Sequence, residues 1–177
     1  MRHRVFLCLY SLSLLLAVVF SVAAEVPGPV AFEQSRLIIS GVDGREHSFT
    51  VELALSAPQR SRGLMFRDEL AKNAGMLFLW EDEAPRLMWL KNTKVPLDMI
   101  FFDNDGLIFR IEHWEHISCK GDMMRSGAMS PSEQTIPSGG GARGVLELYG
   151  GITHRLGITT GDRIVHPLLP SGGPSRQ

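Results

Sequence analysis

Hydrophobic and polar residues alternate along much of this 177-residue chain, a pattern typical of β-strands that are covered on one face. The clearest case is the segment 47–54, H-S-F-T-V-E-L-A. A continuous apolar run at 75–80, G-M-L-F-L-W, predicts a strand that is buried on both faces. Further strands are predicted at residues 36–40, 87–90, 97–102, 107–112, 145–149 and 164–166.

Turn-forming residues separate several of these strands. The sequences G-V-D-G at 41–44 and D-N-D-G at 103–106 are typical of β-hairpins. The acidic stretch 81–85 is a predicted loop. The segment 113–141 has no clear period and ends in three glycines, so it is a predicted long loop.

Two short helices are predicted. Ser56 is placed as an N-cap, with Pro58 in the first turn and Gly63 near the end of the helix. Residues 151–156 predict one or two further helical turns before the tight turn T-G-D at 160–162.

Seven or so short strands with at most two short helices indicate a mainly β (α+β) protein. The chain lacks the regular alternation of strands with long helices that a doubly wound α/β fold requires. We therefore predict a single compact antiparallel domain, shaped like a barrel or a sandwich, over residues 36–167. A flexible leader at 25–35, an inserted loop at about 113–126 and a disordered tail at 168–177 complete the predicted organisation.

The first 24 residues have the organisation of a secretory signal peptide. A basic start, M-R-H-R, precedes the apolar run 5–20, and S-V-A-A at 21–24 supplies small residues for cleavage. The apolar run is short for a membrane span. We expect residues 1–24 to be removed, which predicts a secreted or periplasmic protein with no membrane span after cleavage.

Charge and cysteine content limit the kinds of partner. The formal net charge is −1, and no basic stripe is present, so nucleic acid is not an expected partner. Of the two cysteines, Cys8 lies in the predicted signal peptide and Cys119 in the predicted loop. The mature chain is therefore expected to have no internal disulfide.

Asp98 interrupts an apolar strand, L-D-M-I-F-F, whose two faces are otherwise hydrophobic. A buried carboxylate needs partners or changes its protonation state. One interpretation is that Pro96–Asp98 forms a turn in which Asp98 accepts backbone N–H groups. The other is a ligand pocket with apolar walls that include Met76 and Trp80. Its predicted ligand-binding residues are Arg62, Met65, Trp89, Lys91, Asn92 and Asp98.

A second carboxylate, Glu147, interrupts the strand V-L-E-L-Y, where we expect it to pair across the sheet. In the predicted loop, His113, His116 and Cys119 follow one another at steps of three. Imidazole and thiolate ligands suit copper or zinc, so these three residues form a candidate metal site. No other cofactor is predicted.

Several motifs together resemble the family called domain of unknown function 192. They are R-G-L-M-F-R at 62–67, G-M-L-F at 75–78, W-L-K-N-T at 89–93, P-L-D-M-I-F at 96–101, V-L-E-L at 145–148 and G-I-T-T-G-D at 157–162. The resemblance implies a small β-rich exported domain, without an activity to transfer. This chain departs from the family pattern at Leu90, where the family typically has Met, and in the added segment around 113–126.

No nucleophile elbow, phosphate-binding loop, dinucleotide fingerprint or zinc-protease helix is present in the sequence, and catalytic residues stay unassigned. The first hypothesis is a non-enzymatic cell-envelope module that binds a small molecule, a glycan, a peptide or an envelope protein. A hydrolytic enzyme that uses Asp98 with Lys91 or a loop histidine is the alternative, and an acid–base couple of Asp98 with Glu147 is conceivable. A metal-handling protein built on His113, His116 and Cys119 is the third possibility.

Overall fold

The computed structural model describes residues 30–114 and 135–170. The predicted signal peptide, the candidate ligands His116 and Cys119, and the tail after residue 170 lie outside these described residues. Within them, the structure has no helix that is both long and apolar enough to span a membrane.

The described residues form seven strands and two short helices. In chain order these elements are β1 (Gln34–Ser40), β2 (Glu46–Ala54), α1 (Ala57–Arg62), β3 (Ala74–Trp89), β4 (Leu97–Phe102), β5 (Ile108–Trp114), β6 (Thr135–Tyr149), α2 (Ile152–Leu156) and β7 (Arg163–Val165). The strands form one sheet in the order β5-β4-β6-β3-β2-β1-β7. Neighbouring strands are antiparallel except β2 and β3, which run parallel and are joined through α1.

The sheet curls until its two edge strands approach each other at the β4–β5 hairpin. Leu107 forms a bridge with Arg163, and the N–H of Ile164 donates to the carbonyl of Gly106 at 2.8 Å. The result is a half-barrel that is joined at one end. The predicted mainly β fold with two short helices is confirmed.

The two faces of the curled sheet bury two separate hydrophobic clusters. The cluster on the first face, here called the interior face, includes Phe49, Leu77, Ile100, Leu146 and Ile152. The cluster on the second face, here called the outer face, includes Met76, Phe78, Met99, Phe101 and Val145, and Leu64, Leu70, Leu90 and Val95 from connecting segments cover it. Strand β4 is fully buried because both clusters contact it.

Helix α1 begins where the sequence predicts. The Ser56 hydroxyl accepts from the backbone N–H of Gln59, and the Gln59 side chain accepts from the N–H of Ser56, which completes a capping box. Pro58 lies in the first turn, and Gly63, with φ of 47°, ends the helix. Since no residue of α1 is buried, this local capping is an important part of what stabilises the helix.

Two segments that the sequence predicts as loops belong wholly or partly to strands. The acidic stretch 81–85 belongs to β3, which stays paired with β6 through irregularities near Leu79 and Pro85. Acidic side chains exposed on a bulged strand look like a loop in sequence, and a bulge also accommodates proline. The predicted loop 113–141 is wrong at both ends, because β5 continues to Trp114 and β6 begins at Thr135.

The folded region also extends slightly beyond its predicted limits. Strand β1 begins at Gln34, two residues before the predicted start of the domain. Leu169, which falls in the predicted tail, is buried against the interior cluster.

Candidate functional site

Asp98 is fully buried on β4, on the interior face of the sheet. Its Oδ1 accepts hydrogen bonds from His113 Nδ1 at 2.8 Å and from the backbone N–H of Gly151 at 2.9 Å. Its Oδ2 accepts from the backbone N–H of Thr153 at 2.8 Å and from the Thr153 hydroxyl at 2.7 Å. The carboxylate therefore ties α2 and β5 to the centre of the sheet.

These contacts keep the Asp98 carboxylate charged. Burial by itself raises the pKa of Asp98, but the hydrogen bonds from His113, Thr153 and Gly151 outweigh burial and leave the pKa below its usual value. The interpretation that Asp98 accepts backbone N–H groups is correct, although the residue lies in a strand rather than a turn. Among the described residues, none of Arg62, Lys91 and Asn92, which the sequence places in one pocket with Asp98, donates a hydrogen bond to its carboxylate.

An open cleft lies beside this carboxylate. Asp98, His113, Trp114 and His154 line it, and its volume is about 580 Å³. Because an ionised carboxylate only accepts hydrogen bonds, His113 Nδ1 must carry a proton, and in the neutral ring Nε2 keeps its lone pair. The His113 side chain is 56% exposed, so the rest of the ring is accessible from the cleft.

The six predicted ligand-binding residues do not form one pocket. Arg62, Met65 and Trp89 line a pocket on the outer face, whereas Asp98 is on the interior face. Lys91 and Asn92 lie in the connection between β3, which ends at Trp89, and β4. The carboxyl group that lines the same pocket as Arg62, Met65 and Trp89 is that of Glu147.

Glu147 occupies the outer face of β6, between two methionines. Its register partners are Met99 on β4 and Met76 on β3, both with no exposed surface. Glu147 itself is 4% exposed. Its side chain has no hydrogen bond to any residue that the structure describes, so the predicted cross-strand partner is absent there.

Burial raises the pKa of Glu147 to about 8. Removal of a carboxylate from water disfavours its charged form, and burial is the whole cause of this shift. At neutral pH the side chain is therefore mostly a neutral carboxylic acid, with one O–H donor and free acceptor capacity. A neutral acid that lines a pocket can both donate and accept hydrogen bonds there.

The pocket above this acid is narrow. We call it the Glu147 pocket; it is lined by Glu147, Thr93, Met65, Met88, Phe78 and Trp89, with Arg60 and Arg62 from α1. About 10 Å³ is open to the centre of a water-sized group. This is close to the space that a single buried water needs, so the pocket has room for about one small group.

Two residues that are next in sequence to residues lining this pocket have a left-handed backbone. Phe66 has φ of 65° and Asn92 has φ of 56°, and the N–H of Phe66 donates to the carbonyl of Asn92 at 2.8 Å. Asparagine tolerates this region, but for phenylalanine it is a rare conformation that costs about 1–2 kcal/mol. Strained backbone of this kind is often found where a binding site is shaped.

Two of the residues that line the pocket, Arg62 and Trp89, each take part in a cation–π contact. The Arg62 guanidinium lies over the Phe66 ring at 4.9 Å, and the Lys91 ammonium lies over the Trp89 ring at 5.8 Å. Phe66 and Trp89 are 50% and 46% exposed. Large exposed aromatic rings held by cations provide a ready contact surface for a ligand.

The family of this chain follows from its sequence. The model of the DUF192 family, described as Uncharacterized ACR, matches residues 38–166. The chain belongs to the DUF192 family. Comparison with curated proteins gives no match.

Two solved structures resemble this DUF192 protein. One is a candidate transcription regulator from Sinorhizobium meliloti 1021, with 39% identity and a TM-score of 0.66 over 78% of this chain and 97% of the other. The second is a protein of unknown function from Novosphingobium aromaticivorans DSM 12444, with 30% identity and a TM-score of 0.62 over 77% and 94% of the two chains.

The metal site predicted for this DUF192 protein stays a prediction. His113 is on β5 and donates to Asp98, while His116 and Cys119 lie outside the described residues. Among residues 30–114 and 135–170, no three His, Cys, Asp or Glu side chains are grouped as metal ligands.

Sequence reasoning underrated Glu147, although the signal was present. A carboxylate inside V-L-E-L-Y is the same anomaly as Asp98 inside L-D-M-I-F-F. The two carboxylates lie on opposite faces of the sheet, since Asp98 pairs with Leu148 and Glu147 pairs with Met99. They therefore do not form an acid–base couple.

Proposed function

We propose that this DUF192 protein is a non-enzymatic binding module of the cell envelope and that the Glu147 pocket is its binding site. The observation that carries the proposal is the Glu147 carboxyl group, which is buried, lacks a partner among the described residues and lines a pocket. An unpaired buried carboxyl group costs stability, so a ligand that completes its hydrogen bonds would recover that free energy.

The segments beside the pocket support the same proposal. Phe66 and Asn92 hold a strained connection between the segment after α1 and the β3–β4 loop. Arg62 and Trp89, which line the pocket, each make a cation–π contact, with Phe66 and Lys91 respectively. A preorganised site lowers the entropy that binding costs.

The proposal is tested by what the protein retains when it is purified from its native envelope. We expect native mass spectrometry to detect one small molecule bound to the wild type and none bound to Glu147→Gln. Glu69→Gln, which changes an exposed glutamate, is the matched control and should retain the molecule. Equal occupancy in wild type and Glu147→Gln would contradict the proposed site.

Export to the periplasm or secretion is part of this proposal. It is supported by the basic, apolar and small-residue order of the first 24 residues. We propose no nucleic-acid role by analogy with the Sinorhizobium protein. The helices of the described residues, α1 and α2, have six and five residues, which is short for a helix that reads the major groove.

A second candidate function is proton transfer at the cleft beside Asp98. The observation that favours it is the hydrogen bond from His113 Nδ1 to a buried, charged carboxylate, with the remainder of the imidazole exposed to the cleft. A carboxylate in this position orients an imidazole so that Nε2 can accept a proton. Lys91 is not among the groups that contact Asp98, so this candidate uses His113 in its place.

This second candidate predicts esterase activity towards p-nitrophenyl acetate above that of free imidazole at the same concentration. His113→Gln should reduce the rate at least tenfold, since it removes the general base. His47→Gln, on β2, should leave the rate unchanged. A rate equal to that of free imidazole, or one insensitive to His113→Gln, would exclude this function.

A further inference from the structure

We propose that a groove beside β7 binds a medium-chain fatty acid, with the ligand carboxylate at Arg36 and the alkyl chain over Ile38 and Val165. This second site goes beyond the proposed function, because the groove shares no lining residue with the Glu147 pocket. We call it the β7 groove. Its volume of about 640 Å³ lies within the range of small-molecule sites, about 300–1,000 Å³.

The floor of the β7 groove is part of the outer face of the sheet. Leu37 and Ile39 belong to the interior cluster, so Ile38 between them faces outward. Val165 is its register partner on β7 and is 48% exposed. Because the outer cluster includes no residue of β1 or β7, the described residues leave this apolar pair uncovered.

The chain after β7 forms a fixed wall of the groove. The N–H of Leu169 donates to the carbonyl of His166 at 2.9 Å, and the N–H of Leu168 donates to His166 Nδ1 at 3.2 Å. Leu169 is buried against the interior cluster. These contacts hold the wall in place without a ligand, which lowers the entropy that binding costs.

Most of the lining is apolar. Its hydrophobic residues are Ile38, Ile164, Val165, Pro167, Leu169 and Pro170. Their side chains have no hydrogen-bonding groups, so the part of a ligand that covers them must be apolar as well. An alkyl chain meets this requirement, whereas the hydroxyl groups of a sugar would lose their bonds to water.

The charged side chains of the groove favour an anion. They are Arg36, Arg163 and Asp105, which together give the lining a net charge of +1. Burial lowers the pKa of His166, the other titratable group of the lining, so at pH 7 its imidazole is neutral. Arg36 donates to the Ser48 hydroxyl at 2.9 Å, and no carboxylate of the described residues forms an ion pair with it.

The strand register places the charged groups at different ends of the groove. Arg163 pairs with Ser40, four positions along β1 from Arg36, which corresponds to about 13 Å. Arg163 also donates to the backbone carbonyl of Asp105. The Asp105 carboxylate therefore opposes an anion at the Arg163 end, and the Arg36 end is the better position for a ligand carboxylate.

The class of ligand follows from this arrangement. One uncompensated guanidinium stands at one end of an apolar strip, and the strip continues along the paired strands for about 13 Å. A carboxylate on an unbranched alkyl chain has the same order of groups. The carboxylate can bind the guanidinium while the chain removes Ile38 and Val165 from water.

The test is isothermal titration of the full chain at pH 7 with decanoate below its micelle concentration. We expect one site per chain. Butanoate should bind at least about 30-fold more weakly, because it lacks most of the methylene groups. Decyltrimethylammonium, which has the same chain length and the opposite charge, should bind at least about tenfold more weakly than decanoate.

Two variants locate the ligand. Val165→Asp puts a charge on the floor of the groove and should weaken decanoate binding at least tenfold. Val42→Asp, which changes a valine that is 79% exposed in the β1–β2 turn, is its matched control and should change nothing. Urea unfolding of both variants shows whether each one is folded.

Arg36→Gln tests the position of the carboxylate. It should weaken decanoate binding about fivefold and leave the affinity for decyltrimethylammonium unchanged or higher. Arg155→Gln, which changes an exposed arginine on α2, is the control and should bind decanoate as the wild type does.

Three results would overturn the proposal. The first is no saturable binding of decanoate below about 1 mM, and the second is an affinity that Val165→Asp leaves unchanged. The third is binding to phosphatidylglycerol vesicles without binding to decanoate, which would identify a membrane surface as the partner. An affinity that Arg36→Gln leaves unchanged would overturn the assigned orientation.

Discussion

Replacement of Asp98 by alanine is expected to lower the free energy of unfolding by about 3–5 kcal/mol. The substitution removes the shared acceptor of His113, Gly151 and Thr153 at a fully buried position. Removal of one partner from a buried charged network leaves the others unpaired, and its cost is of this size. For a chain of this length the melting temperature should fall on the order of 10 °C.

Urea unfolding at pH 7 measures the change in the free energy of unfolding, and two further variants serve as comparisons. Asp105→Asn changes an exposed aspartate in the β4–β5 hairpin and should shift stability by less than about 0.5 kcal/mol. His113→Gln removes one of the four hydrogen bonds and should cost less than Asp98→Ala. A loss below about 1 kcal/mol for Asp98→Ala would show that the carboxylate does not hold α2 to the sheet.

The same carboxylate should govern part of the acid stability. The pKa of Asp98 is lower in the folded state than in the unfolded chain, where it is about 3.9. Its stabilisation is therefore fully present above the unfolded value and is lost as pH falls through the folded pKa. In Asp98→Asn, the free energy of unfolding should therefore depend less on pH below about pH 4 than it does in the wild type.

Replacement of Glu147 by glutamine is expected to stabilise the protein at pH 8. The folded pKa is raised from 4.5 to about 8, so the folded state keeps a proton that the unfolded chain has lost between these values. Folding stability of the wild type must then decrease as pH rises through this interval. At 1.36 kcal/mol per pKa unit, the decrease is at most about 5 kcal/mol.

Glutamine has nearly the same shape as glutamic acid and does not titrate. The difference in unfolding free energy between Glu147→Gln and wild type should therefore grow from pH 5 to pH 8, by up to about 4 kcal/mol. Urea titrations at four pH values measure it. Glu69→Gln is the exposed control, and its difference from wild type should stay within about 0.5 kcal/mol. A constant difference across this range would mean that Glu147 is ionised in the folded protein.

Glu147 thus combines a cost in stability with a position in a pocket. Apolar residues surround it on β3 and β4, and a leucine at this site would bury without an electrostatic cost. Groups that lower stability are commonly tied to function, because binding and catalysis need polar groups where the fold prefers apolar ones. This trade-off agrees with the binding role proposed above.

Local patterns in the sequence were sufficient for most elements of the fold. The capping box at Ser56 and Gln59 depends on residues three positions apart, and the hairpin at 103–106 depends on its own turn residues. The acidic stretch 81–85 was mistaken for a loop because strand β3 is recognised there by its pairing with β6, not by its own residues. Pairing between strands about 60 positions apart leaves little trace in either segment.

The candidate site, like the fold, could be predicted from the sequence only in part. The sequence identified Asp98 as a buried carboxylate, and its motifs selected Arg62, Met65, Trp89, Lys91 and Asn92. It did not show which carboxyl group faces the Arg62 segment, because that depends on strand parity across the sheet. A shift of one residue moves a side chain to the opposite face.

By itself, the sequence determined the mainly β class, the two short helices, the hairpins and the presence of carboxyl groups within apolar strands. Each of these depends on residues that are neighbours along the chain. Only the tertiary structure decided that Asp98 binds His113 and the start of α2, and that Glu147, which lines a pocket with Trp89, has no hydrogen-bond partner among residues 30–114 and 135–170. The partners of a buried charge come from distant segments, and their identity is fixed by the register and curl of the sheet.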